Sequence, residues 1–305
     1  MHSPEKLIHK RGGSGFVPIG QGGRSIDSMG YAKTINIEYN SIPIKVLYNS
    51  VGEGPSLLFL HGWNHLGLIW DPVVKRIGGS YRCITLDLPG FGNSQPIPSS
   101  MVSIESYAGI CTKVMEQLPD SVPLSGIIGD SFGALIALEM MNCHGMSGKS
   151  LLLSGCPFEG LGPILRASAI VPAFSLGLRI LRMLPLSISR SAVRYLCLAT
   201  VRRLQDVSEA LIDGVLLADP STSQSVFETM LELKDKRIVR PPGAQRVLVI
   251  RGQHDWIVSR NTAIRSAQKM NGEYREIAGV GHTPMLEDPY SYAESVTSLA
   301  KQVRS

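Results

Sequence analysis

The sequence has no apolar run near the roughly 18 residues that a membrane-spanning helix needs. Its opening residues, M-H-S-P-E-K-L-I-H-K-R, lack the apolar core of a secretory leader. Cysteine is scarce and unpatterned. The five, at 83, 111, 143, 156 and 197, form no C-x-x-C and no Cys/His metal spacing, and an odd number suits a reduced compartment better than a disulfide framework. They read as small buried apolar residues, and a soluble, cytoplasmic protein is expected. Charge is not strongly one-sided: 30 Lys and Arg against 25 Asp and Glu leave +5, with no basic motif, so no nucleic-acid partner is expected. No metal spacing or nucleotide loop is visible, so no cofactor is implied. What the chain does have is 44% hydrophobic residues over 305, enough for a substantial core and incompatible with wholesale disorder.

Glycine is concentrated between residues 10 and 30, in G-G-S-G and G-Q-G-G, with no apolar period to anchor a helix or strand. Residues 1–33 are expected to be a mobile arm. T-I-N-I-E-Y and I-P-I-K-V-L-Y, joined by a short N-S turn, alternate as a β-hairpin at a sheet edge, where Pro43 can spare its N–H. Short apolar runs follow at 56–60, 81–88, 124–129, 149–155 and 246–252. Each reads as a strand buried on both faces, and helical stretches separate most of them. That alternation predicts a mostly parallel α/β sheet with helices on both sides and ligands beyond the carboxyl ends of its strands. The interval from 156 to 245 is too long for an ordinary βα connection. Residues 157–241 are expected to form an inserted helical cap divided by prolines 163, 172 and 185, leaving 34–156 and 242–305 as the core.

The strand L-S-G-I-I-G runs straight into D-S-F-G-A-L-I-A-L-E-M-M, which has a helical apolar pattern. Alone, Ser131 would read as a solvated or capping serine. Between Gly129 and Gly133 it reads as the nucleophile on a strained strand-turn-helix elbow, where a side chain at either glycine would collide with the neighbouring strand or helix. A serine hydroxyl needs a histidine base and an acid to orient it. Asp255 follows the strand R-V-L-V-I-R-G, and His282 follows E-Y-R-E-I-A in the loop G-V-G-H-T-P. Three suitable residue types in the order serine, acid, histidine, each after a different strand, are hard to obtain by accident. Glu159, after the strand that precedes the cap, is the competing acid. The oxyanion donors are expected to be the backbone N–H groups of Phe132 and of Trp63, in the H-G-W-N-H that follows S-L-L-F-L.

H-G-W at 61–63, D-L-P-G-F-G-N-S at 87–94, G-D-S-F-G at 129–133, the aspartate of G-Q-H-D-W and G-H-T-P at 281–284 together resemble the α/β-hydrolase superfamily, in its cap-bearing branch, from about residue 35 onward. The resemblance implies a hydrolase fold and a cofactor-free serine hydrolase. It does not choose the substrate, since the branch includes esterases, thioesterases, carbon–carbon hydrolases, lyases and receptors. Serine at the elbow argues against haloalkane dehalogenases and epoxide hydrolases, which use aspartate there. Asp87 is expected to be a turn residue capping local N–H groups, and Asp130 to point away from the cleft into a local salt bridge or helix-terminus role. His61, His65 and Trp256 are candidates for the pocket wall. A lone histidine without a carboxylate neighbour, such as His65 or His254, is more often a packing residue.

Between 160 and 204 the chain carries arginines at 166, 179, 182, 190, 194, 202 and 203 and no Asp, Glu or Lys, interleaved with Leu and Ile. The plain expectation is an amphipathic lid with solvated arginines and an apolar inner face. The sharper one is attraction of an anionic group: a carrier-bound phosphopantetheine, coenzyme A or a membrane face. The expected substrate is a hydrophobic ester or thioester, with carbon–carbon cleavage, a receptor or a lyase as alternatives. The oligomeric state is left open.

Overall fold

The structure is a computed structural model that describes residues 33–119, 124–146, 148–158, 170–233 and 238–301, with side chains from 176 in the segment that begins at 170. The expected arm and Glu159 lie outside these residues, apart from Lys33. The elements run β1 (Lys33–Tyr39), β2 (Ile42–Val51), β3 (Ser56–Leu60), α1 (Asp71–Ile77), β4 (Arg82–Leu86), α2 (Ile104–Gln117), β5 (Leu124–Asp130), α3 (Phe132–Cys143), β6 (Ser150–Ser154), α4 (Ile170–Met183), α5 (Leu186–Leu196), α6 (Glu209–Leu217), α7 (Pro220–Leu231), β7 (Val247–Gly252), α8 (Arg260–Lys269), β8 (Glu273–Ile277), α9 (Pro284–Glu287) and α10 (Pro289–Lys301).

One eight-stranded sheet has the order β1-β2-β4-β3-β5-β6-β7-β8. β2 is antiparallel to both neighbours, and every pair from β4 to β8 is parallel. The β1–β2 turn places Asn40 at φ 49° and Ser41 at φ 62°, the left-handed pair whose twist matches a tight hairpin. Pro43 pairs with Glu38 in a part of β2 that has no second neighbour, since pairing with β4 begins at Tyr48.

The central strands are buried on both faces because both faces are apolar. In β3, Leu58 and Leu60 join the core on one side of the sheet, while Leu57 and Phe59 join the other. β6 and β7 alternate in the same way, with Leu151, Leu153, Val247 and Val249 on one side and Leu152, Leu248 and Ile250 on the other. The period-two alternation of a strand thus splits one apolar run between two cores. α2, α3 and α8 cover the first, and α1 and α10 cover the second. Each such buried Leu, Ile or Val contributes about 1.5–3 kcal/mol of transfer free energy. Four of the five cysteines are buried as expected; Cys143, at the end of α3, is exposed.

α4 to α7 lie between β6 and β7, and around α5 and α6 they bury a small core of their own, including Val193, Cys197, Val201, Leu211 and Ile212. Of the three prolines expected to divide this segment, Pro163 lies outside the described residues, and Pro172 departs from expectation. Pro172 sits in the first turn of α4, where an N–H has no intrahelical acceptor to lose; Pro185 does separate α4 from α5, as the N-cap of α5. The arginines are also less free than expected. Arg190 pairs with Glu209 and with Asp213 (2.5 Å), Arg194 with Glu209 (2.5 Å) and Arg203 with Asp206 (2.8 Å), and Arg182 donates to the carbonyls of Leu216 and Ala218. Acids beyond residue 204 answer arginines before it, a pairing that local composition does not show.

Candidate active site

β5 ends at Asp130 and α3 begins at Phe132, leaving Ser131 between them at φ 51°, ψ −112°. That backbone state is strained for a residue with a Cβ. The flanking glycines permit it: a Cβ on Gly129 would meet the Gly133 carbonyl oxygen at 2.4 Å, and one on Gly133 would meet the Leu60 carbonyl oxygen at 2.3 Å. The Ser131 N–H donates to the Ser154 carbonyl at 2.8 Å, which ties the elbow to the end of β6.

Asp255 lies three residues past β7, with its carboxylate fully occupied. Oδ2 stands 2.8 Å from His282 Nδ1, and Oδ1 accepts the N–H groups of Ile257 (2.8 Å) and Val258 (3.0 Å). The Arg251 guanidinium clamps the same loop by donating to the carbonyls of Asp255 (2.5 Å) and Val258 (2.7 Å). Burial pushes the Asp255 carboxyl up, but the adjacent His282 and the two backbone donors outweigh it and hold the pKa below the carboxylate norm. Burial disfavours charge on His282 too, yet Asp255, then Asp130 and Glu287, raise its pKa above the ordinary value.

The His282 ring lies over the end of β6, where Gly155 has φ 53° and a Cβ would come within 2.8 Å of the imidazole Cε1. Asp255 takes Nδ1, so Nε2 is the nitrogen left for chemistry. The described residues show no hydrogen bond between Ser131 Oγ and His282. Both residues are nearly buried, at 6% and 4% exposure.

The remaining candidates sort by what their side chains touch. His61 is fully buried, with Nδ1 at 2.8 Å from the Gly62 carbonyl and Nε2 accepting the Leu88 N–H at 2.9 Å. Burial drives its pKa down to about 4, so it is a neutral bracket between two loops and not a pocket wall. His65 is 5% exposed and also held neutral by burial, its pKa near 3, with Nδ1 3.8 Å from Asp130 Oδ2. The Trp63 indole N–H donates to the Ser223 carbonyl (2.8 Å) and that of Trp256 to the Ala199 carbonyl (2.6 Å), so both rings strap the helices between β6 and β7 to the sheet end. The Phe132 ring packs in the core edge-on to Tyr107, while its N–H stands at the first position of α3, where the helix supplies no acceptor.

Asp87 does cap a local N–H, that of Asn93 at 3.0 Å, and with its other oxygen reaches Gly67 N–H at 2.7 Å, joining two loops. Asp130 is fully buried and faces His65 Nδ1 at 3.8 Å, a contact that becomes an ion pair only if the imidazole is protonated, and the Ser154 hydroxyl acts on the same carboxyl. Burial lifts its pKa to about 7, against the pull of His282.

Two positioning residues were missed by sequence reasoning. The Thr200 carbonyl accepts the backbone N–H of His282 at 2.8 Å. Glu287 accepts Gly281 N–H with Oε1 and Arg202 N–H with Oε2, each at 2.8 Å. No motif marks either. Among the described residues, no group of three His, Cys, Asp or Glu is placed to hold a metal ion.

A family model, that of the alpha/beta hydrolase family, matches residues 57–294. The chain belongs to the α/β-hydrolase family. Among its relatives within the family, a pimeloyl-[acyl-carrier protein] methyl ester esterase of Pectobacterium carotovorum subsp. carotovorum is 24% identical over 258 residues, covering 80% of this chain and 94% of that protein. An enzyme of the same description from Vibrio vulnificus is 33% identical over 98 residues, 32% of this chain, and the match spans only 35% of that relative. Among solved structures, a thermophilic esterase from Thermogutta terrifontis superimposes with a TM-score of 0.73 at 19% identity, covering 90% of this α/β-hydrolase family member and 100% of that chain. At that identity the likeness bears on the fold alone.

Proposed function

We propose that this hydrolase cleaves a carboxylic ester of a hydrophobic acid or alcohol, with Ser131 as nucleophile, His282 as base and Asp255 as the acid that orients it. The observation that carries the reading is the buried Asp255–His282 pair at 2.8 Å, which engages Nδ1 and leaves Nε2 outside that pair. In the reaction, Nε2 takes the Ser131 proton as Oγ bonds to the ester carbonyl carbon. The N–H groups of Phe132 and Trp63 are the oxyanion donors, each typically contributing about 3 kcal/mol in the transition state. The protonated imidazole then gives its proton to the departing alkoxide, leaving an acyl-serine. Water, deprotonated by the same nitrogen, attacks the acyl group and releases the acid.

The relatives' description as pimeloyl-[acyl-carrier protein] methyl ester esterases favours a methyl ester at the end of an acyl chain carried by a protein. The test is intact mass after incubation with a fluorophosphonate, for wild type and Ser131→Ala, beside hydrolysis of p-nitrophenyl esters, medium-chain methyl esters and acyl thioesters. One adduct, lost in the variant, with faster turnover of oxygen esters of longer chains is expected. Thioester preference would replace the ester reading, and a folded wild type that takes no adduct would overturn the serine mechanism.

A further inference from the structure

α4 is apolar on the side that packs and also on the side that does not. Leu178 is 2% exposed on the inner side. Leu176 is 58% exposed, Ile180 50%, Met183 85% and Leu184 41%. At 100° per residue Leu176, Ile180 and Met183 fall within an arc of about 60° on the outer surface, and Leu184 follows directly after the helix end. The chain then turns without re-entering the fold: residues 182–188, R-M-L-P-L-S-I, are all exposed, adding Leu186 at 42% and Ile188 at 52%. A helix on the surface of a water-soluble domain ordinarily turns charged residues outward there, and contiguous exposed apolar surface of this kind marks an interaction site.

Charge indicates which partner. Residues 160–204 contain no acidic residue; Asp206, Glu209 and Asp213 just beyond them are each engaged by Arg203, Arg190 or Arg194, and Asp219 acts on Arg182. The exposed Arg179, at the margin of the apolar arc, makes no ion pair among the described residues. The surface is therefore apolar with one arginine, Arg179, at its edge.

Met183, the most exposed large apolar side chain among the described residues, stands at the α4–α5 corner. An apolar surface edged by arginine meets the same charge on a second copy of itself, whereas an anionic lipid surface complements it. No described helix is long and apolar enough to cross a membrane; the 14 residues of α4 span about 21 Å, short of the hydrocarbon thickness. Such a corner can lie in the interface but not traverse it.

We propose that Leu176, Ile180, Met183, Leu184, Leu186 and Ile188 form a docking surface for an anionic lipid bilayer, with Arg179 reading the headgroup charge. This surface does not rest on the ester reading of the catalytic cleft. The test is co-sedimentation of the full chain with phosphatidylcholine vesicles and with vesicles of equal phosphatidylcholine and phosphatidylglycerol.

Binding to the anionic vesicles is expected, weaker by about tenfold or more on neutral ones and falling with added salt. Met183→Glu is expected to weaken it by about tenfold or more, and Arg179→Gln by about fivefold. Both sites are exposed, and unchanged thermal unfolding would show intact folds. Ser131→Ala should bind vesicles like wild type whether or not it hydrolyses esters, which separates the surface from the reaction. Failure of wild type to sediment with anionic vesicles, or undiminished binding by Met183→Glu, would overturn the proposal. So would lipid-free self-association abolished by Met183→Glu, which would make the corner an interface between copies.

Discussion

The backbone N–H of His282 donates to the carbonyl of Thr200 at 2.8 Å, and Thr200 belongs to the segment between β6 and β7, not to the sheet that carries the other candidate catalytic residues. The Thr283 hydroxyl reaches the same carbonyl at 3.3 Å. With Glu287 bridging Gly281 and Arg202, three hydrogen bonds fasten the histidine loop to the inserted helices at residues 200 and 202. Positioning of the imidazole therefore depends on how that segment packs.

Glu287→Gln tests this fastening. An amide offers one acceptor oxygen where two backbone N–H donors need one each, so one buried bond is lost, destabilising the fold by about 1–3 kcal/mol. The charge that helps to raise the His282 pKa is removed as well. Thermal unfolding should show the first effect. The rising limb of kcat/KM against pH should move to lower pH, which a purely structural loss would not produce.

The Asp255–His282 pair sets the sign of the main pH dependence. The base acts when neutral, so kcat/KM should rise with pH, with a midpoint above the 6.5 of an ordinary histidine. Asp255→Asn should lower that midpoint, because the largest favourable partner of the imidazolium is gone. It should also reduce kcat on the plateau by about 10⁴-fold through the wrong tautomer. Ester hydrolysis across pH 5–10 checks both.

Asp130 should reveal itself in stability before activity. Its carboxyl has a folded pKa of about 7 against an ordinary 3.8, so the folded state holds the proton more tightly and stability falls as pH rises between those values. Asp130→Asn removes that decline. The variant should unfold a few degrees above wild type at pH 8, with the gap closing below pH 4. Its kcat/KM limb should shift to lower pH, because Asp130 also raises the His282 pKa. Equal melting curves at pH 8 would count against a carboxyl whose pKa burial has raised.

Ser131 at φ 51° carries strain that only its Cβ causes. Ser131→Ala and Ser131→Gly both delete the hydroxyl, but only glycine relieves the backbone. After allowance for the extra freedom of glycine in the unfolded chain, Ser131→Gly should be the more stable of the two by about 1 kcal/mol. Denaturant unfolding of the two variants measures the difference directly.

Strands, hairpin and elbow were legible from the sequence because their causes are local. An apolar run must be buried on both faces, a turn at Asn40 and Ser41 must twist to match its strands, and two glycines must flank a serine whose neighbours approach to within 2.4 Å. The helices between β6 and β7 were legible as an interval too long to be a connection. By itself the sequence thus determined the family, the order of the strands along the chain and the placing of Ser131, Asp255 and His282 after three of them.

Tertiary structure alone decided what surrounds those residues. The Arg202–Glu287 bond joins positions 85 apart, His61 is held by Leu88, and Asp130 is buried facing His65 across 65 residues. Likewise Arg190 finds Asp213 across 23 residues while Met183 stays 85% exposed among the described residues. The physical reason is one of range. Backbone sterics and side-chain period act within a turn or a strand and leave their mark on neighbouring residues. The pairing of distant donors with acceptors, and the burial or exposure of an apolar side chain, follow from how separate helices settle on the sheet, and no short stretch of sequence records that.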